Sequence, residues 1–154
     1  MKLKNDIDHV YLCLGKRLST HELGYMQHSA RESFKLIDFE YPLSIAKLAY
    51  DSGARSIALV SAVGAQEGSF NYYFHIKGKL ENEIKKIGYE NMCFARPGHL
   101  LGERKDFRGY EIPILESGLR FAAPFMQGPL TNFRQVEAKQ VAKSMVKNIR
   151  SRNK

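Results

Sequence analysis

A serine, a tyrosine and a lysine have the spacing that an acid/base site would need. Tyr73 and Lys77 are four residues apart, which places a phenol and an ammonium on one helix face. Ser61 lies at the end of a preceding apolar run. The lysine charge would lower the tyrosine pKa, and the serine would orient the oxygen that exchanges a proton. An ordinary amphipathic helix, with Tyr73 packed and Lys77 solvated, explains the pair equally well.

The elements that would position these residues alternate between strands and helices. Apolar runs predict strands at Val10–Leu14, Ser56–Val60 and Asn91–Ala95, and helical spacing predicts helices at Ala30–Ser52, Asn71–Ile87 and Arg134–Ile149. This alternation predicts an α/β fold, with a parallel sheet whose strands add outward in chain order and whose faces are covered by helices. The loops after the strands would then share the carboxyl edge, where such sheets bind ligands.

Length and composition favour a single domain over residues 1–154. Of the 154 residues, 44% are hydrophobic, which is enough to form a core. No apolar run reaches the roughly 18 residues of a membrane span, and the first residues lack the apolar stretch of a signal peptide, so we expect a cytoplasmic protein. Cys13 and Cys93 lie in apolar runs and are predicted to be buried thiols. The histidines have no metal-ligand spacing, so no metal site is expected.

The basic charge does not by itself indicate a nucleic-acid partner. Twenty-four Lys and Arg residues against 16 Asp and Glu residues give a net charge of +8. These cations are spread along the chain, whereas nucleic-acid surfaces cluster them or interleave them with aromatic residues. The densest group, residues 147–154, is typical of a solvated helix end. We expect no specific nucleic-acid partner and no membrane partner.

Several motifs follow one another in a fixed order along residues 8–146. They are the run Val10–Gly15, the segment Ser61–Ala65, Tyr-x-x-x-Lys-Gly-x-x-Glu at Tyr73–Glu81, and Arg-Pro-x-x-Leu-Leu-Gly-x-Arg at Arg96–Arg104. Taken together, they resemble the atypical short-chain dehydrogenase/reductase family, in its branch of small NAD(P)-binding, TIP30-like oxidoreductases. The order of the motifs is far more specific than any one of them alone.

The resemblance implies an epimerase-like, NAD(P)-dependent oxidoreductase that transfers hydride to or from a small carbonyl or alcohol. Ser61, Tyr73 and Lys77 would be its catalytic residues. The residues implied to bind the cofactor are Leu14, Gly15, Ser61, Tyr73, Lys77, Arg96, Pro97 and Gly98. Asp38 resembles a recurring acidic position of the family. The alternative is a non-catalytic binding or regulatory protein that retains the fold.

Two departures from the family pattern affect this expectation. Lys16 and Arg17 stand where small, Thr-type residues are expected. The Gly-rich turn that holds the cofactor pyrophosphate is absent, and the first strand here matches the fourth of the family. The expected fold is therefore an incomplete, N-terminally truncated Rossmann-like domain that lacks its first β-α-β-α-β half. This leaves open whether the chain alone binds NAD(P) or is an enzyme, and its exposed sheet edge would allow self-association.

Overall fold

Three parallel strands form the centre of the fold. The computed structural model describes residues 7–97, 99–101 and 135–151. Strands β1 (His9–Leu12), β2 (Ser56–Val60) and β3 (Asn91–Ala95) pair in the order β1-β2-β3. This arrangement confirms an α/β fold with a parallel sheet whose strands add outward in chain order. The bounds of β2 and β3 are as predicted, whereas β1 ends two residues earlier than the sequence indicated.

The crossover from β1 to β2 is more elaborate than the single predicted helix. It contains α1 (Thr20–Gly24), α2 (His28–Lys35), a π-helical turn (Leu36–Glu40) and α3 (Tyr41–Asp51). The helix predicted from Ala30 to Ser52 is thus present, but a π-helical turn interrupts it. Pro42 lies in the first turn of α3, where its missing N–H is tolerated.

Helix α1 lies in a stretch that the sequence analysis did not assign. Its start carries a capping box: the Ser19 hydroxyl accepts from the Glu22 N–H, and the Glu22 carboxylate accepts from the Ser19 N–H. This local signal could have been recognised from the Ser-x-x-Glu spacing. The helix was missed because it is short and polar, so it lacks apolar periodicity.

The two later helices follow their predicted positions closely. Helix α4 (Tyr72–Ile87) begins after Asn71, whose side chain accepts from the N–H groups of the first turn, and ends at Gly88 in the left-handed conformation, with φ 96°. Helix α5 (Ala138–Ser151) begins four residues later than predicted. The difference arises because residues 135–137 form β5, which pairs in parallel with β4 at residues 99–101.

The sheet separates two groups of core residues. Ile57 and Leu59 of β2 pack with apolar residues of α3 and α4, whereas Ala58 packs with Met145 and Ile149 of α5. Strand β2 is therefore buried on both faces, as expected for a central parallel strand. Among the described helices, none combines the length and hydropathy that crossing a bilayer requires.

The prediction that both cysteines are buried is wrong. Cys13 is exposed, and Cys93 is only partly buried. Strand β1 ends at Leu12, so Cys13 already belongs to the following loop. Cys93 lies on β3, which pairs only with β2 among the strands that the structure describes.

Candidate functional site

The loops at the carboxyl ends of β1, β2 and β3 lie at one edge of the sheet. Gly15 follows β1, Ser61 follows β2, and Arg96 and Pro97 follow β3. The last two loops are joined by backbone hydrogen bonds: the Ser61 N–H donates to Ala95 O at 2.7 Å, and the Val63 N–H donates to Pro97 O at 3.1 Å. Gly98, also predicted to bind the cofactor, lies outside the described residues.

A buried ion pair lies beneath the loop that follows β1. Lys77 Nζ of α4 is 2.8 Å from Asp38 Oδ1, and the two side chains are 6% and 1% exposed. Asp38 Oδ2 accepts from the backbone N–H of Lys16 at 2.7 Å. A Cβ atom at Gly15 would lie 3.3 Å from Asp38 Oδ1, tighter than most contacts of that kind. The glycine therefore allows the backbone to rest directly on the ion pair.

The π-helical turn determines where the carboxylate lies. Asp38 and Phe39 are adjacent in this turn, and both are buried. The turn packs against α4, which carries Lys77 one helical turn after Tyr73. In the sequence, only the resemblance singled out Asp38, because nothing local indicates that an aspartate in this helix has a lysine partner.

Tyr73 lies near this pair, but its electrostatic surroundings differ from the prediction. Its ring is 5.7 Å from the ring of Phe34 between centroids, and Lys77 Nζ lies 6.0 Å from the Tyr73 centroid. Burial, together with the negative charge of Asp38, raises the pKa of Tyr73 to about 12. The prediction that Lys77 lowers this pKa is wrong, because Lys77 is paired with a carboxylate that itself acts on the phenol.

Ser61 has a buried hydroxyl that finds no partner among the described residues. The residue is 4% exposed, and its Oγ makes no hydrogen bond within the described part of the chain. A hydroxyl can donate one hydrogen bond and accept two. Leaving such a group buried and unpaired costs about 1–3 kcal/mol. This oxygen lies at the carboxyl edge of the sheet, where a ligand-binding group is expected.

Arg96 is already paired within the protein. Its Nε donates to Glu81 Oε1 at 2.9 Å, and a second guanidinium nitrogen contacts Glu81 Oε2, which makes the pair bidentate. These hydrogen bonds raise the pKa of Arg96. In the sequence, Glu81 lies four residues after Lys77, a spacing that suits either a partner of that lysine or a surface pair. The structure instead buries Glu81 and joins α4 to the end of β3.

Gly78 brings the loop after β2 into contact with α4. A Cβ atom at this position would lie 2.3 Å from the carbonyl carbon of Gln66 and 2.4 Å from the nitrogen of Glu67. The Gln66 N–H also donates to Phe74 O. The sequence left open whether this glycine turns the chain or permits a close approach. The structure shows a close approach.

The predicted site residues that the structure describes therefore fall into two groups: a cluster around the buried ion pair, and the two joined loops that follow β2 and β3. Gly15, Asp38, Tyr73 and Lys77 lie together, while Ser61 is joined to the end of β3. Leu14 is exposed beside Gly15. Chemically, the edge offers a phenol, a paired ammonium and a hydroxyl that has no partner in the described part of the chain. Within the described ranges, no group of three His, Cys, Asp or Glu side chains is placed to share a metal ion.

Curated proteins from several yeasts are similar to this chain. No family model matches it. The protein named "Protein FMP52, mitochondrial" of Candida albicans is 37% identical over 113 residues, which cover 73% of this chain and 48% of that protein. The protein of the same name from Debaryomyces hansenii is 41% identical over 85 residues, covering 55% and 38%. "Protein FMP52-1, mitochondrial" of Scheffersomyces stipitis is 37% identical over 78 residues, covering 51% and 34%.

These relatives correct the family and function expected from the motifs. The chain spans less than half the length of each of the three. They are named FMP52 proteins, so the predicted membership in the atypical short-chain dehydrogenase/reductase family, TIP30-like branch, is wrong. The predicted NAD(P)-dependent, epimerase-like oxidoreductase function is wrong with it, and these names do not support the non-catalytic alternative. The motifs are short, and a tyrosine and a lysine four residues apart also occur on the same face of ordinary amphipathic helices.

The relatives also correct the expected location. All three carry the word mitochondrial in their names, so the prediction of a cytoplasmic protein is wrong. That prediction considered only an apolar secretory leader. Mitochondrial targeting uses a different, amphipathic signal, so the lack of an apolar leader does not distinguish the two locations.

Proposed function

We propose that the carboxyl edge of the β1-β2-β3 sheet forms part of a cleft that binds a small ligand through its hydroxyl or carbonyl oxygens, in a mitochondrial protein. The observation that carries this proposal is the buried Ser61 Oγ, which has no partner in the described residues. Such a group is destabilising unless something else satisfies it. A ligand at the sheet edge would do so, and parallel sheets bind ligands at this edge.

The neighbouring groups support the same proposal. The Lys77 ammonium has three N–H donors, of which Asp38 Oδ1 accepts one. Because Gly15 has no side chain, only backbone atoms of the loop cover this pair at that position. Tyr73 adds a neutral phenol that can donate a hydrogen bond. These groups recognise polar atoms without adding net charge, because Lys77 is paired.

A nicotinamide dinucleotide, NAD(P), is the ligand that we propose to test first. Its ribose hydroxyls and carboxamide match the polar groups of this edge, and an incomplete Rossmann-like sheet would present them to Leu14, Gly15, Arg96 and Pro97. The fit is partial, because Glu81 already accepts two hydrogen bonds from the Arg96 guanidinium. The proposed contacts therefore involve the uncharged parts of the nucleotide. No hydride transfer is proposed.

Titration with NADH and NADPH, followed by nicotinamide fluorescence, tests this proposal. We expect saturable binding, and we expect Ser61→Ala to raise the Kd about three- to tenfold, the effect of losing one neutral hydrogen bond. Ser56→Ala is the matched control, because Ser56 is also a buried serine but lies at the start of β2, whereas Ser61 follows the end of that strand. Its Kd should equal that of the wild type.

Two results would contradict the proposal. The first is the absence of any fluorescence change with either nucleotide. The second is an equal Kd for the wild type and Ser61→Ala, which would place a bound nucleotide elsewhere on the protein.

A further inference from the structure

We infer that Asp38 is a positioning residue that keeps Lys77 paired beneath Gly15, so that the lysine does not assist loss of the Tyr73 phenol proton. Any effect of this arrangement on ligand binding depends on the cleft proposed above. The arrangement itself concerns the free protein and can be tested without any ligand. The spacing of Tyr73 and Lys77 suggests that the lysine promotes loss of the phenol proton, whereas in this arrangement it does not.

Asp38 connects three elements with its two carboxylate oxygens. Oδ1 binds Lys77 of α4, and Oδ2 accepts from the backbone N–H of Lys16 in the loop after β1. Because the pair is buried, Lys77 cannot turn toward the Tyr73 hydroxyl without leaving Asp38 as an unpaired charge away from water, which is costly. The lysine therefore stays at the carboxylate, and its Nζ remains 6.0 Å from the centre of the phenol ring.

The charges around Tyr73 favour the neutral phenol. Charged or titratable groups on the elements that pack near it include Asp38 and Glu40 on the π-helical turn, Lys77 and His75 on α4, and Arg31, Glu32 and Lys35 on α2. Arg31 lies over the Tyr72 ring, and Lys35 is paired with Glu40. Lys16 Nζ donates to Ser33. The nearby lysine is thus neutralised, burial dominates, and the Tyr73 pKa is raised.

A neutral phenol specifies what the ligand must present. It donates a hydrogen bond at every pH below its pKa, so the ligand atom facing Tyr73 should be an acceptor such as a carbonyl or hydroxyl oxygen.

Carbon-13 NMR of tyrosine ring carbons measures the state of Tyr73 directly. The chain has eight tyrosines, so Tyr73→Phe assigns the resonance. In the wild type we expect no deprotonation of Tyr73 below pH 10.5. In Asp38→Asn the midpoint should fall by about one pH unit, because the anion is gone and the Lys77 ammonium is unpaired. Asp51→Asn, which changes an exposed aspartate on α3, should leave the midpoint unchanged.

Two outcomes would overturn the inference. One is a wild-type Tyr73 that deprotonates with a midpoint below pH 10.5, a result that decides the question even if Asp38→Asn does not fold. The other is an unchanged midpoint in an Asp38→Asn protein whose far-ultraviolet circular dichroism matches the wild type. Because no nucleotide is present, failure of the binding proposal would leave these results unaffected.

Discussion

Two buried carboxylates of this protein each hold one cation, and α4 contributes to both pairs. Asp38 binds Lys77 of α4, and Glu81 of α4 binds Arg96. Removing one partner of a buried pair costs about 3–5 kcal/mol, because the remaining charge is left without compensation. The sequence indicated Lys77 and Arg96 as functional residues but gave no sign of their partners. Such partners are fixed by tertiary packing, which local spacing does not report.

Ser61 should reduce the stability of the free protein. Because its Oγ is buried without a partner in the described residues, we expect Ser61→Ala to leave the free energy of unfolding unchanged or to raise it by about 1 kcal/mol. Ser56→Ala should lower it by about 1 kcal/mol, since the Ser56 hydroxyl accepts from Asn91 Nδ2. Urea denaturation of the two variants measures both changes. A clear loss of stability in Ser61→Ala would show that its hydroxyl has a protein partner.

At the scale of elements, the ends of strands and helices were predicted correctly where nearby residues in the sequence determine them. Strands β2 and β3 have their predicted bounds because each is a short apolar run between turns, and α4 is bounded by the Asn71 cap and Gly88. The π-helical turn and the β4–β5 pair were not predicted. A π-helical turn adds one residue without disturbing composition, and β4 and β5 are three residues each, too short for a periodicity to be recognised.

Gly78 is required for the loop after β2 to pack on α4. Alanine usually stabilises a helix interior relative to glycine. Here the added Cβ would overlap backbone atoms of Gln66 and Glu67, so we expect Gly78→Ala to lower the free energy of unfolding by about 1–3 kcal/mol. Gly24→Ala is the matched control, because a Cβ at Gly24 meets no atom within 4 Å. Thermal and urea unfolding of both variants check this difference; equal stabilities would disprove the close approach.

At the scale of the whole molecule, the three-stranded sheet has an edge at β1 that none of the described strands covers. Among the described strands, β1 pairs only with β2, and Tyr11 of β1 is exposed. The parallel order and the shared carboxyl edge followed from strand and helix alternation alone. Location and family could not be predicted in this way, because they were inferred from relatives rather than from the physics of folding.

We propose that the outer edge of β1 mediates self-association, since an unpaired strand edge is a template for another strand.

Sedimentation velocity tests this proposal. The wild type should sediment faster as its concentration rises. Tyr11→Lys should raise the Kd of self-association about tenfold or more, because a charged side chain on an edge strand opposes pairing. Tyr25→Lys is the control, since Tyr25 is exposed but lies outside the strands. A wild type that remains monomeric at all concentrations, or equal behaviour of the two variants, would refute the role of this edge.

The extra residue of the π-helical turn has an evolutionary consequence. Losing one residue between Leu36 and Glu40 would let α2 and α3 merge into a regular α-helix, with every later apolar residue still available for burial. The same deletion would rotate Asp38 relative to α4 and separate it from Lys77. Homologous chains could thus differ by a single gap in an alignment, retain nearly identical cores, and yet differ in whether the lysine beside the tyrosine has a carboxylate partner.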